Sequence, residues 1–195
     1  MGLSIAGFSR EAEKAYQWLV DTQLEDGSWW SEIQNGEIIN SSKETHFAAY
    51  IAVGVYHHYL ITKDLQFLKT MWPSVTRGIQ YAVNMQAPEG EIYWARNKEG
   101  LIDRMALLTG CSSIYLSFKC ALAMARILGK RKPAWRKAMD ALGEAIKNRP
   151  DLFNMIKSRF SMDWYYPVLC GAVCGEEAKK RIDHLWDKFV VPDWG

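Results

Sequence analysis

With 195 residues, 49% of them hydrophobic and 13% aromatic, the chain can bury one domain-sized core and is too apolar to be disordered. Its 24 basic and 22 acidic residues are mixed along the sequence, and a formal net charge of +2 gives no field that would gather a nucleic acid or an anionic membrane. Four cysteines and four histidines stand at no metal-ligand spacing, so neither a metal site nor another cofactor is expected.

The apolar runs around Cys111, Cys120, Cys170 and Cys174 predict buried, reduced thiols. The first residues, MGLSIAGFSREAEK, lack a basic segment followed by an apolar run, and nothing reaches the ~18 consecutive apolar residues of a membrane span. A cytoplasmic protein that does not span a membrane is the expectation.

From Ser9, a candidate N-cap, Ala12, Ala15, Trp18, Leu19 and Thr22 recur at helical spacing and predict a first helix ending near Gln23. The turn Glu25-Asp26-Gly27-Ser28, two tryptophans and a polar stretch from Ser31 to Asn40 follow. Ser41 and Glu44 have the spacing of a capping box before a helix, Thr45 to about Ile61, that is apolar on nearly all sides and so predicted to be buried on both flanks. Asp64 restarts a helix; Pro73 either kinks it or begins the amphipathic run Val75 to Gln86. After a Glu89-Gly90 turn, Tyr93-Trp94 and a polar loop, a second apolar helix is predicted from about Leu107 to Leu128. Ala134 to Asn148 is amphipathic, Leu152 to Phe160 reads as a short helix, and Asp163 reads as the N-cap of a buried run to Cys174. A polar amphipathic helix, Glu176 to about Phe189, precedes a terminal loop from Val190 to Gly195, and no strand pattern competes anywhere.

The segment KAYQWLVDTQLEDGSWW, Lys14 to Trp30, is written twice. At an offset of 63 positions, Gln17 matches Gln80, Trp18 matches Tyr81, Gln23 matches Gln86 and Gly27 matches Gly90. Internal repetition of helix, turn and helix marks a repeat architecture. The two apolar helices align at an offset of 64, Thr45 with Thr109 and Ala48-Ala49 with Ser112-Ser113. Alternating amphipathic and buried helices predict an all-α fold, an α/α toroid with inner and outer helices, with units at roughly 9–61, 64–129, 134–175 and 176–195. If each inner helix is entered from the same kind of turn, all inner N-termini lie at one end, where a pocket would form.

The pattern Lys14-Ala15, Trp18-Leu19, Gln23, Gly27-x-Trp29, with its second copy Arg77-Gly78, Tyr81-Ala82, Gln86, Gly90, resembles the QW repeat of squalene-hopene and oxidosqualene cyclases. The resemblance implies the superfamily of terpenoid cyclases and protein prenyltransferases, including prenyltransferase-like bacterial proteins, and so a transferase or isomerase acting on an isoprenoid or other apolar ligand. The second copy departs from it at Ile92, and the acidic and zinc constellations of those enzymes are missing. The segment Asp64 to Val83, with Trp72-Pro73-Ser74-Val75, also resembles the outer helices of six-hairpin glycosidases, which makes a carbohydrate-active protein the alternative. A non-catalytic helical-repeat binding module is a third reading. Such toroids close with five to seven hairpins; this chain supplies about three and a half, so the resemblance implies a fragment, or a ring completed by a second copy.

The repeated Gln23, Gln86, Gly27 and Gly90 are expected to be structural. Glu44 and Asp163 are the carboxylates expected at the inner mouth, where partial burial would suit a general acid, although capping, a capping box for Glu44 and an N-cap for Asp163, is the more ordinary use of both. His46 is a third catalytic candidate. Asp103 and Arg104, in the loop before the second inner helix, would orient a hydroxylated or anionic ligand or pair with each other, and Thr109 opens that helix. Trp30, Trp94, Trp164, Tyr165 and Tyr166 are expected to rim the pocket, where aromatic faces suit either a developing carbocation or a sugar ring. The expected partner is a small-molecule substrate or a lipid or glycan ligand.

Overall fold

A computed structural model describes residues 1–191; the last four residues of the expected terminal loop lie outside the described residues. The elements run α1 (Gly2–Ile5), α2 (Ser9–Thr22), β1 (Glu32–Gln34), β2 (Glu37–Asn40), β3 (Lys43–Glu44), α3 (Thr45–Thr62), α4 (Leu65–Asn84), β4 (Ala95–Arg96), β5 (Ile102–Asp103), α5 (Leu108–Ile127), α6 (Pro133–Asn148), α7 (Ser161–Leu169), α8 (Gly175–His184) and α9 (Trp186–Phe189). Two 3-10 turns, Pro150–Leu152 and Met155–Arg159, stand where the sequence predicts a helix over 152–160. Pro150 opens the first, and Asn154 caps the second by accepting from the Ile156 N–H at 3.1 Å.

The fold is all-α in its layers and of the α/α toroid type. Inner helices α3, α5 and α7 pack side by side, with α4, α6 and α8 behind them. α3 earns its inner place by composition: Ala48, Ala49, Ile51, Ala52, Val53 and Val55 are all buried, on more than one face. α4 and α6 are amphipathic and bury one stripe each, including Leu68, Val75 and Ile79 on α4 and Trp135, Leu142 and Ile146 on α6. α4 is one helix through Pro73, and Asp64 starts it by accepting from the Phe67 N–H at 2.9 Å. α5 is the one described helix long and apolar enough to cross a membrane by length and composition, and here it is the core helix, packed against α3, α6 and α7.

The repeated segment forms the same joint twice. Gln23 Nε2 donates to Gly27 O at 2.9 Å and to Ser74 O of α4 at 3.1 Å; Gln86 Nε2 donates to Gly90 O at 2.9 Å and to Ala138 O of α6 at 2.9 Å. The turn bonds repeat with the same offset: Leu24 N to Ser28 O and Gly27 N to Leu24 O, then Ala87 N to Glu91 O and Gly90 N to Ala87 O. Both glycines have positive φ, +91° and +106°, and a Cβ on them would stand 2.3 Å from Arg77 O and 2.5 Å from Ala141 O. Each outer helix thus ends by laying a glycine turn flat on the next outer helix, and the glutamine satisfies carbonyls on both sides of the seam.

Two expectations fail locally. Short strands are present: β1 and β2 form a hairpin around Asn35-Gly36, both at positive φ, and β3, β4 and β5 form an antiparallel sheet with Glu44 opposite Ala95 and Ala95 opposite Asp103. Strands of two residues are too short for alternation to register, although Asn35-Gly36 is a hairpin signal. Cys111, Cys120 and Cys170 are buried free thiols, as expected, but Cys174 is exposed because it sits just before α8 rather than inside a buried run.

Candidate functional site

The inner helices enter the core from one end and in register. α3 begins at Thr45, α5 at Leu108 and α7 at Ser161. Counting from each start, the second, third and sixth residues are His46, Phe47 and Tyr50; Thr109, Gly110 and Ser113; and Met162, Asp163 and Tyr166. These nine residues line one cavity of about 600 Å³. Positions three or four apart share a helix face, so each inner helix turns the same first-turn face to the opening. The structural offset between α3 and α5 is 108 − 45 = 63, the same as that of the joints, and not the 64 read from the small-residue pairs. Trp94, Leu107, Lys157 and Phe160 complete the wall.

Asp163 is the third residue of α7 and not its N-cap, because the 3-10 turn before it carries the chain to Phe160 and α7 begins one residue later. Its carboxylate instead caps the neighbouring inner helix. Asp163 Oδ1 accepts from the Thr109 hydroxyl and from the Thr109 N–H at 3.2 Å, next to the positive end of α5. Behind it, Arg181 Nη2 of α8 donates to Asp163 O at 2.8 Å, and Asp163 is only 7% exposed. The group is buried, hydrogen-bonded and held.

Glu44 has the backbone position of the α3 N-cap, but its side chain makes no capping bond and no capping box forms with Ser41. The pairing of β3 with β4 draws the chain out as an extended strand, and the Glu44 carboxylate accepts from Ser31 Oγ at 3.2 Å. Its side chain is 14% exposed, and burial raises its pKa against the opposing pull of the Ser31 bond. Glu44 Oε2 stands 3.6 Å from His46 Nδ1, beyond hydrogen-bond reach. Burial lowers the His46 pKa, so desolvation pushes both members of this pair towards neutrality and the contact is no strong ion pair. The His46 ring packs on Phe47 at 4.3 Å and Trp94 at 5.5 Å between centroids. Trp94 is itself pinned by its backbone, donating to Met105 O at 2.7 Å and accepting from Thr45 N at 2.9 Å.

The other candidates separate. Thr109, Trp94 and Tyr166 line the cavity with His46 and Asp163. Trp30 lines a second cavity of about 510 Å³ between α2, the β1 region and α3, with Lys43 Nζ 5.5 Å above its ring. Trp164 faces away from the mouth: it is buried, donates from Nε1 to Arg181 O at 2.8 Å and stacks on Phe189 at 5.3 Å. Tyr165 lies edge-on to Trp164, outside the lining of both cavities, because successive residues of a helix point about 100° apart. Asp103 accepts from the Met105 N–H at 3.0 Å and borders a small surface cleft beside β4 and β5; it forms no ion pair with Arg104 among the described residues. Arg104 is exposed and lines neither cavity.

The sequence reading passed over Phe47, Tyr50, Gly110, Ser113, Lys157 and Met162 in the first cavity, and Tyr16, Trp18 and Trp29 in the second. The signal was the repeat offset carried past the joint: positions 46, 47 and 50 plus 63 are 109, 110 and 113. Among the described residues no three His, Cys, Asp or Glu side chains gather as a metal site.

No family model matches the sequence. A curated relative, the MMP endo-(1,4)-3-O-methyl-alpha-D-mannosidase of Mycolicibacterium hassiacum, is 48% identical over 195 residues, which are 100% of this chain and 54% of that protein. The chain therefore spans about half the length of the curated relative it matches. Among solved structures, a rhamnosidase from Klebsiella oxytoca with rhamnose bound aligns with a TM-score of 0.60 at 14% identity, over 85% of this chain and 35% of that one. The fold likeness supports the toroid, and the mannosidase match overturns the resemblance to prenyltransferases and terpenoid cyclases, together with the transferase or isomerase activity on an isoprenoid drawn from it. The physical reason lies in the joint. Gln23 and Gly27 solve the docking of one outer helix on the next, a problem that any such toroid poses, and they touch neither cavity.

Proposed function

We propose that this chain is the glycan-cradling part of a glycoside hydrolase toroid that acts on an α-linked, O-methylated mannose polymer. The observation that carries the reading is the 48% identity to the mannosidase over all 195 residues of this chain. The mouth is compatible with it. Aromatic walls from Phe47, Tyr50, Trp94 and Tyr166 suit the apolar faces of sugars and of methyl ethers, and His46, Ser113 and Lys157 add polar groups to bond hydroxyls.

In this reading Glu44 is the general acid. Burial keeps its proton to higher pH, Ser31 fixes one carboxylate oxygen, and the other lies 3.6 Å from His46, which lines the first cavity, so Glu44 would reach a glycosidic oxygen from behind His46. Asp163 orients the N-terminus of α5 through Thr109 and does not attack, since its Oδ1 is committed to that cap. Glycoside hydrolysis uses a second carboxylate. In this proposal the second carboxylate is not one of the residues that line the two cavities, whose single acidic member is Asp163.

The test is calorimetric binding and product sizing with 3-O-methyl-α-(1,4)-mannose oligosaccharides, with unmethylated α-mannose oligosaccharides as the comparison. The methylated series is expected to bind more tightly and to be cut internally by the completed ring. Glu44→Gln should lower cleavage by about 10²- to 10⁴-fold while leaving binding intact. A protein that binds neither series sinks the glycosidase reading; a Glu44→Gln variant that cleaves at the wild-type rate removes only the role given to Glu44.

A further inference from the structure

The first cavity has a neighbour, and α3 is the wall between them. Phe47 and Tyr50 line both cavities, the first on the side of α5 and α7 and the second on the side of α2. They remain 46% and 40% exposed, so the partition is a low ridge and not a closed core wall. Glu44, one turn before this ridge, stands between a residue of each side: it accepts from Ser31, which lines the second cavity, at 3.2 Å, and its Oε2 lies 3.6 Å from His46, which lines the first.

The second cavity is built for a flat, amphipathic ligand. Trp29 forms a fixed base, 8% exposed and anchored by donating from Nε1 to Leu19 O at 2.8 Å. Trp30 and Trp18 stand above it as rims, Trp18 53% exposed on the outer face of α2. An exposed indole beside an anchored one costs solvent contact that the fold does not need: the joint already closes through Gln23, and Trp18 has Tyr81 as its counterpart in the second copy, where the ring is 2% exposed and its hydroxyl donates to Lys43 O at 2.9 Å. The same repeat position is core in one copy and open rim in the other.

We infer that the second cavity is a further sugar subsite, on the far side of the Phe47–Tyr50 ridge, holding the next residues of the same glycan whose neighbouring units occupy the first cavity. The inference rests on the glycan reading above and deepens it: the chain crosses α3 near Glu44, with sugar units on both sides, which is the geometry of an enzyme that cuts inside a polymer. Trp18 and Trp30 stack on sugar faces and Ser31 supplies the polar edge.

Calorimetry with an α-(1,4)-linked 3-O-methylmannose ladder of increasing length, on the full chain, reads this directly. Affinity is expected to rise in two stages, the second when the oligosaccharide is long enough to cross the ridge. Trp18→Ala and Trp30→Ala should each remove most of the second stage, about tenfold in affinity, and leave the first unchanged. Trp30→Tyr should restore much of it, which a loss of folding would not allow, and melting curves of all variants should overlay. A ladder with a single stage, or a second stage that survives both alanine variants, overturns the subsite while leaving glycan binding in place. If no oligosaccharide of any length binds, the functional reading fails and the subsite with it.

Discussion

The joints and the mouth are built from the same repeat and treat it in opposite ways. At the joints the two copies keep residue, position and bond: Gln23 and Gln86 reach the turn glycine and the next outer helix with distances that differ by at most 0.2 Å, from 3.1 to 2.9 Å. At the mouth they keep position only. His46 becomes Thr109, Phe47 becomes Gly110 and Tyr50 becomes Ser113, with the helix register unchanged. A joint must satisfy the same buried carbonyls wherever it occurs, whereas the mouth faces a ligand that is not itself repeated. Repetition of residue therefore marks packing, and repetition of place with change of residue marks the site.

This contrast predicts its own tests, the largest at the joints. Gly27→Ala and Gly90→Ala should each destabilise by about 3 kcal/mol, combining a disallowed φ with a Cβ driven into a backbone carbonyl. Tyr50→Ala at the mouth should cost less than about 1 kcal/mol. Urea unfolding midpoints measure both, and comparable losses at joint and mouth would break the distinction.

Asp163 sits at the mouth but is held like a joint residue, and it sharpens the comparison. Asp163→Ala should cost about 2 kcal/mol by stripping the Thr109 N–H and hydroxyl of their acceptor, and Asp163→Asn about half of that because an amide oxygen still accepts. Equal losses for both would mean that the charge beside the helix end matters more than the hydrogen bonds.

The smallest effect is a pH dependence at Glu44 and His46. Burial raises the Glu44 pKa, so between its ordinary and raised values the folded protein binds more protons than the unfolded chain, and this residue's contribution to stability falls as pH rises through that window. His46 is held below its ordinary value, so its contribution is lost as pH falls through its folded pKa and recovered as pH climbs to the ordinary value. Unfolding midpoints followed from about pH 4 to about pH 8 should lose the first dependence in Glu44→Gln and keep the second. A variant profile that overlays the wild type would remove Glu44 as a burial-shifted group.

Much of this molecule was legible in one dimension. The order of inner and outer helices, the glycine turns and the end at which the inner N-termini gather all follow from apolar periodicity and from one repeated offset, because helices and turns are set by residues a few positions apart. The same locality explains what the QW-like motif could not say: its glutamine and glycine are a true signal of toroid geometry and name no reaction.

What the tertiary structure decided are choices made across long separations. Asp163 meets Thr109, 54 positions away, and becomes the cap of another helix; Trp164, its neighbour in sequence, turns the other way into Arg181 and Phe189. The small sheet that holds Glu44 beside Ser31 joins strands about 50 residues apart that are too short to announce themselves. The sequence by itself determined a helical toroid with its mouth at the inner N-termini. Which side chains open into that mouth depended on the packing of three inner helices against one another, since a helix offers several faces and only its neighbours choose among them.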